Sequence, residues 1–259
     1  MAAGSQVRSL ANLDDAGLAE AAGAAAGREL LLLRAQLDEG GSNARDVGNR
    51  ADQQSNSVLQ TALRAACPGD SILSEESADD PSRLDSARVW IIDPLDGTRE
   101  YTEAGRTDWA VHVALVRGGT LAVGVVVLPA LGLTLSSAGP HALPPRSSVI
   151  RMVVSRTRPP AIAEAVGRRL GAELLPMGSA GAKAMSVVLG QSDVYLHAGG
   201  QHEWDSAAPV AVALAAGLHA SRIDGSPLVY NRYPAWQPDL LICRPELAAT
   251  VLEAIRQAS

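Results

Sequence analysis

Apolar positions in the first part of the chain recur at helical spacing. Between Asp14 and Leu37 an alanine-rich run sets Leu18, Leu30, Leu33 and Leu37 on one stripe, with Gly40-Gly41 as its stop. A second helix is predicted from about Ala51 to Ala66, ended by Pro68-Gly69. The period then changes. Ser71 to Leu73, Val89 to Ile92, Ala110 to Val116, Leu121 to Leu128 and Leu131 to Ser136 are short apolar or β-branched runs, divided by turn residues such as Gly118-Gly119. They predict helices packed on a largely antiparallel sheet. The stretch Gly139 to Ser148, rich in Pro, Ser and Ala, predicts a boundary between a half spanning 1–147 and a half spanning 148–259.

Past that boundary strand and helix alternate. Strands are predicted at Ile150 to Val154, Glu173 to Pro176, Val194 to Leu196, His219 to Arg222 and Leu240 to Cys243. Helices are predicted at Ile162 to Leu170, Ala182 to Leu189, Ala207 to Ala216 and Glu246 to Ala258. Such alternation implies a layered α/β second half.

Composition narrows the function classes. With 259 residues, 47% of them hydrophobic, the chain can bury a substantial core. Its formal charge of −6 argues against a nucleic-acid or membrane-surface binder, so any phosphate it handles must meet local positive charge. Asp14 and Asp15 near the start, and the hemming of Leu30 to Leu33 by Arg28, Glu29 and Arg34, fit neither a signal peptide nor a membrane span. Cys67 and Cys243 are far apart and form no metal or disulfide pattern, so a reducing cytoplasm is expected. Lys183 is the only lysine in an arginine-rich chain, which singles it out for chemistry that needs a compact ammonium.

The segment from Trp90 to Thr98 concentrates the chemistry. An apolar strand delivers Asp93, Pro94 interrupts the ladder for want of an N–H, and Gly97 permits a tight turn, so Asp93, Asp96 and a free carbonyl are crowded together. Neighbouring carboxylates repel and raise one another's pKa unless a cation lies between them, and an oxygen-only ligand set favours magnesium over zinc. Read alone, the segment is equally well a chain reversal. Ser74-Glu75-Glu76-Ser77 and His202-Glu203-Trp204-Asp205 add two more acid pairs, for which the plain alternatives are a solvated loop and an N-cap for the helix opening at Ser206.

Together, Ser74-Glu75-Glu76, Asp93-Pro94-Leu95-Asp96-Gly97-Thr98 and Glu203-Trp204-Asp205-Ser206-Ala207-Ala208 resemble, in order and spacing, the metal-binding motifs of the inositol monophosphatase superfamily. The resemblance covers nearly the whole chain. Trp90 to Tyr101, Gly178-Ser179-Ala180-Gly181-Ala182-Lys183 and Asp193-Val194-Tyr195 look most like its CysQ-type 3′-phosphoadenosine-5′-phosphate phosphatases. The resemblance implies an αβαβα sandwich and two or three Mg2+ ions per site. One ion would be held by Glu75, Asp93 and the Leu95 carbonyl, a second by Asp93, Asp96 and Asp205. It also implies that Thr98 positions the attacking water with Asp52 as its partner, and that Glu76 stands just behind. Gly97, Thr98, Ser179, Lys183, Glu203 and Asp205 are the implied substrate contacts.

The expected activity is magnesium-dependent, lithium-sensitive hydrolysis of 3′-phosphoadenosine 5′-phosphate to AMP and phosphate, serving sulfate assimilation. The partner would then be a small phosphorylated metabolite, with no nucleic acid or membrane involved and a homodimer as the expected assembly. The same-fold alternatives are an inositol monophosphatase or a fructose-1,6-bisphosphatase; the alternative from another class is a non-catalytic metal-binding regulatory protein. Two departures from the family pattern stand out. Gly48-Asn49-Arg50-Ala51-Asp52 lacks the usual preceding Thr, which leaves Asp46 as a competitor for the role of Asp52, and Leu196-His197 follows Tyr195 where many relatives carry arginine. His112, Trp109 and Trp204 are expected as packing residues and Arg156 as an exposed cation.

Overall fold

Alanine and leucine without proline give α1 (Asp15–Asp38) in the computed structural model, which describes residue 10 and residues 12–38 and 43–258. The expected stop at Gly40-Gly41 lies outside the described residues. Helix α2 (Ala44–Ala66) opens earlier than the predicted Ala51, because the Asn43 side chain caps it by accepting the Arg45 N–H at 3.0 Å. Gly48 is a point of close approach: a Cβ there would stand 3.1 Å from the methyl groups of Thr98 and Thr102.

The first sheet holds β1 (Ser71–Ser74), β2 (Arg88–Asp96), β3 (Ala110–Arg117), β4 (Thr120–Leu128) and β5 (Leu133–Ser136) in chain order. Only the β1/β2 pair is parallel. Pro94 does not end β2. The register against β3 slips between Asp93 and Asp96 and pairing resumes, so the missing N–H is accommodated in a bulge that re-aims the acidic residues. A five-residue helix, α3 (Thr98–Thr102), follows directly.

The second sheet runs β7-β6-β8-β10-β9, from β6 (Arg151–Ser155), β7 (Glu173–Met177), β8 (Val194–His202), β9 (His219–Ser221) and β10 (Trp236–Cys243). Strand β8 extends well beyond the predicted Leu196. Its Gly199 and Gly200 sit where pairing with β10 shifts. The remaining helices are α4 (Ala161–Leu170), α5 (Ala180–Val188), α6 (Ala207–Ala215) and α7 (Ala248–Arg256).

Strand alternation fixes the layering. Trp90, Ile92, Val111 and Val113 point to one side and pack with Leu18, Leu30, Leu59 and Leu63 of α1 and α2. Val89, Ile91, Ala110 and Ala114 point to the other, into a core shared with Met185 of α5, Val210 of α6, and Tyr195 and Ile242 of the second sheet. Beyond that sheet, Val194, Leu196, Leu241 and Cys243 pack on Val166 of α4 and Val251 of α7. The order is therefore αβαβα. Residues 139–150 carry no helix or strand and lie between the two sheets in sequence, yet the central core draws on both. The same parity that buries Ile91 turns Asp93 and His112 toward α5 and α6.

Candidate active site

Two elements converge on one point. The bulge of β2 delivers Asp93, only 1% exposed, and Asp96; the loop between β8 and α6 delivers Asp205. An oxygen of each lies within 4.8 Å of an oxygen of the other two. Asp205 is not the N-cap of α6. Its carboxylate accepts the His202 N–H at 2.7 Å, while Ser206 holds the cap position without a side-chain bond. Glu75, in the exposed loop after β1, stands close enough to raise the pKa of Asp93; its own is raised by burial and by Asp96, against a hydrogen bond with Asp93.

Thr98 opens α3 beside the cluster. Its hydroxyl lies 3.4 Å from Asp52 Oδ2 and 3.2 Å from the Leu95 carbonyl, and Gly97 before it takes φ +90° with no side-chain cap. Asp52 is buried on α2, whereas its competitor Asp46 is exposed on the first turn of the same helix. The close approach at Gly48 brings α2 to α3 and so makes the Asp52–Thr98 contact possible. Glu76 and Glu75 face Asp52 closely enough to raise its pKa.

Burial and crowding set the electrostatics. Burial first, then Glu76 and Glu75, push Asp52 up to about 8 against the Thr98 contact. Burial and the Asp96 charge push Asp205 up to about 7. Asp93 is raised well above the carboxylate range by burial and by Glu75, Asp96 and Asp205. Asp96 goes the other way: burial opposes ionisation, but His112, Lys183 and the Ser179 hydroxyl outweigh it and hold the acid low.

His112 is the site residue that its apolar strand concealed. Its Nδ1 lies 3.0 Å from the Trp204 carbonyl, which only accepts, so this nitrogen carries a proton; its Nε2 lies 3.3 Å from Asp96 Oδ2. Burial disfavours the imidazolium, yet Asp96 and the Trp204 carbonyl prevail and raise its pKa. The ring reaches Asp96 because residue 181 is glycine: a Cβ there would fall 2.0 Å from Nε2.

The glycine-rich segment Gly178 to Gly181 leads into α5. Its amides turn inward rather than toward a ligand: Ala180 and Gly181 donate to Asp96 at 3.1 and 2.7 Å, and Gly178 donates to Asp108 at 2.6 Å. The Ser179 hydroxyl bonds Asp96 as well. Asp96 thus occupies the favourable position for an anion at a helix start. Lys183 is not a solvated cation; it is 7% exposed and sits 5.4 Å over the Tyr195 ring. Burial lowers its pKa, opposed by the charges of Asp96, Glu100, Asp205 and Asp108. A cavity of about 530 Å3 opens beside the cluster, with Asp96, Ser179, Lys183, Tyr195 and Asp205 in its lining.

Glu203 requires a correction, since it was expected to contact substrate. It is fully buried and both oxygens accept backbone amides, from Asn231 at 2.8 Å and Arg232 at 2.9 Å. Arg156, expected to be free, reaches Glu100 and Glu103, each at 2.8 Å. Trp109 is a packing residue, edge-on to Tyr101 at 5.0 Å. Trp204 is only half-buried and stacks on His202 at 4.3 Å.

The donor set fits a hard divalent cation. Asp93, Asp96 and Asp205 offer only oxygen, and Asp52 Oδ1 nearby is buried without a hydrogen-bond partner. A cation would relieve the repulsion that raises Asp93 and Asp205.

The comparisons with known proteins agree with this geometry. Residues 10–142 and 141–259 match the profile described as the inositol monophosphatase family. A Mycobacterium leprae protein named 3′-phosphoadenosine 5′-phosphate phosphatase is 48% identical over 263 residues, covering 95% of both chains. An Escherichia coli protein named 3′(2′),5′-bisphosphate nucleotidase CysQ is 31% identical over 195 residues, covering 70% of this chain and 78% of its own. The crystal structure of CysQ from Bacteroides thetaiotaomicron superposes with a TM-score of 0.75 at 24% identity, over 89% of this chain and 97% of its own. The chain belongs to the inositol monophosphatase family.

Proposed function

We propose that the chain is a magnesium-dependent, lithium-sensitive phosphatase that converts 3′-phosphoadenosine 5′-phosphate to AMP and phosphate. The observation that carries the reading is the convergence of Asp93, Asp96 and Asp205 beside the Thr98–Asp52 pair. The chain's similarity to proteins named for this nucleotide supports the substrate.

Asp93, Asp96, Asp205, Glu75 and the Leu95 carbonyl would hold Mg2+, two or three ions in all. The metal supplies charge neutralisation of the phosphate and acidification of a bound water. The Thr98 hydroxyl, held by Asp52, orients the water that adds to phosphorus as the bond to the 3′ oxygen breaks. The departing oxygen takes the proton that the water loses. Glu76 raises Asp52's affinity for a proton, and the uncapped start of α3 at Gly97 and Thr98 receives a phosphate oxygen. Ser179 acts through Asp96. Lys183 faces the cavity as the cation for the non-reacting phosphate. The enzyme acts in the cytoplasm as a homodimer and clears a by-product of sulfate assimilation; among the described residues no helix is long and apolar enough to cross a membrane.

A staphylococcal protein of the same fold has been solved with 2′-AMP and with inositol monophosphate, so inositol phosphates are the second reading. Phosphate release from the nucleotide, titrated with Mg2+ and then with lithium at fixed Mg2+, tests the proposal. Turnover should require Mg2+ and fall with millimolar or lower lithium; a flat response to both ions would contradict it.

A further inference from the structure

A second pocket of about 570 Å3 borders the cavity beside the carboxylate cluster and has a different chemistry from it. Its walls are His202, Trp204, Tyr233, Pro234, Ala235 and Trp236, with Asp79 at the rim. His202 and Trp236 also line the cavity that holds Lys183, so the two spaces are neighbours that share these two side chains. Tyr233 and Trp236 remain 65% and 43% exposed, although each is a large aromatic side chain.

These rings are held in place. Trp204 stacks on His202 at 4.3 Å, and Trp236 meets the His202 ring edge-on at 4.9 Å. The indole of Trp236 lies against Gly200, where a Cβ would fall 2.0 Å from it. The loop that carries Tyr233 is tied at its base. Glu203 accepts the Asn231 and Arg232 amides, and Arg83, 1% exposed, donates to Asn231 Oδ1 at 2.5 Å and to the Arg232 carbonyl at 2.7 Å. Asp79 fixes Arg83 in turn, at 2.6 and 2.9 Å.

Such a pocket suits one kind of group. It has no lysine or arginine for a phosphate and few donors for the hydroxyls of a polyol, but it presents rigid aromatic faces on which a flat ring stacks with little loss of side-chain freedom. We infer that the His202–Trp204–Tyr233–Trp236 pocket is the subsite for the substrate's nucleobase, while the scissile phosphate sits at the carboxylates. This rests on the nucleotide reading above.

The test uses the full chain with Tyr233→Ala, Trp236→Ala and Trp236→Phe, each checked for an unchanged melting temperature. Two substrates are compared, 3′-phosphoadenosine 5′-phosphate and the base-free ribose 3,5-bisphosphate. Loss of one stacking face should lower kcat/KM for the nucleotide by about 5- to 100-fold, with a much smaller change for the base-free compound and recovery in Trp236→Phe. Equal losses on both substrates, or no loss on either, would overturn the assignment. Calorimetric binding of AMP to wild type and Trp236→Ala separates this from the functional reading. Wild-type protein that hydrolyses no nucleotide contradicts the function, whereas AMP binding that Trp236→Ala leaves intact contradicts the pocket.

Discussion

Asp93 sits in a dense charge conflict. It is fully buried, and Glu75, Asp96 and Asp205 all raise its pKa. Asp93→Asn should therefore abolish phosphate release at saturating Mg2+ while the metal-free variant melts no lower than wild type, because repulsion is relieved with little change of volume. Near-normal turnover would contradict its role as the bridging ligand. The same conflict gives the metal-free protein a distinctive pH response. Asp52 and Asp205 have an ordinary value of 3.8 and folded values of about 8 and about 7, so the folded state holds protons that the unfolded chain has released. Stability falls as pH rises wherever the folded state binds more protons, hence from about pH 4 to about pH 8, and it levels off above. His112, raised by Asp96 against burial, adds a loss of the same sign as pH passes its folded value; Asp96 is shifted the opposite way below 3.8, while His197 and His219, lowered by burial from 6.5, and Lys183, lowered by burial from 10.5, oppose the decline as pH rises toward those values. Melting temperatures in chelator should decline across pH 5 to 8, and the gain on adding Mg2+ should grow over that range because metal binding displaces those protons. A melting temperature that climbs with pH in chelator would refute the assignment of the buried protons.

Elements were legible in the sequence where local rules were obeyed and obscured where tertiary contacts overrode them. The apolar runs at Val89 to Ile92 and Ala110 to Val116 announced β2 and β3, but the passage of β2 through Pro94 depends on a bulge that only pairing with β3 creates. Helix α2 begins before Ala51 because Asn43 caps it, and it runs through Gly48 where it meets α3. His112 looked like any sheet residue, since its partner Asp96 is brought to it by the β2 bulge and by the glycine at 181. Glu203 was misjudged because motif position says nothing of where a carboxylate points, and here it holds two amides of the Asn231–Arg232 loop. Glu203→Ala should lower stability by about 1–3 kcal/mol for each amide left buried without a partner. Denaturant unfolding measures this, and a loss below ~0.5 kcal/mol would show that the loop is held by Arg83 alone.

At the scale of the whole molecule, acidic surface and anionic substrate are reconciled locally. The chain carries a net charge of −6, yet its one lysine lines the same cavity as Asp96 and Asp205, with the buried His112 behind Asp96. Ions held by the carboxylates would reverse the local field, so the overall charge need not repel a phosphate there. The layered architecture makes this possible, because α2, the end of β2 and the β8–α6 loop come from three different layers and meet at one edge of the central core. The most direct measurement of the central claim is phosphate release from 3′-phosphoadenosine 5′-phosphate, inositol 1-phosphate and fructose 1,6-bisphosphate, measured side by side with Mg2+ and with chelator. The account predicts turnover only with Mg2+ and a kcat/KM for the nucleotide at least about tenfold above either competitor, the discrimination that ~1.4 kcal/mol of added contact supplies. Equal or greater efficiency on inositol 1-phosphate, or nucleotide hydrolysis that persists in chelator, would contradict it.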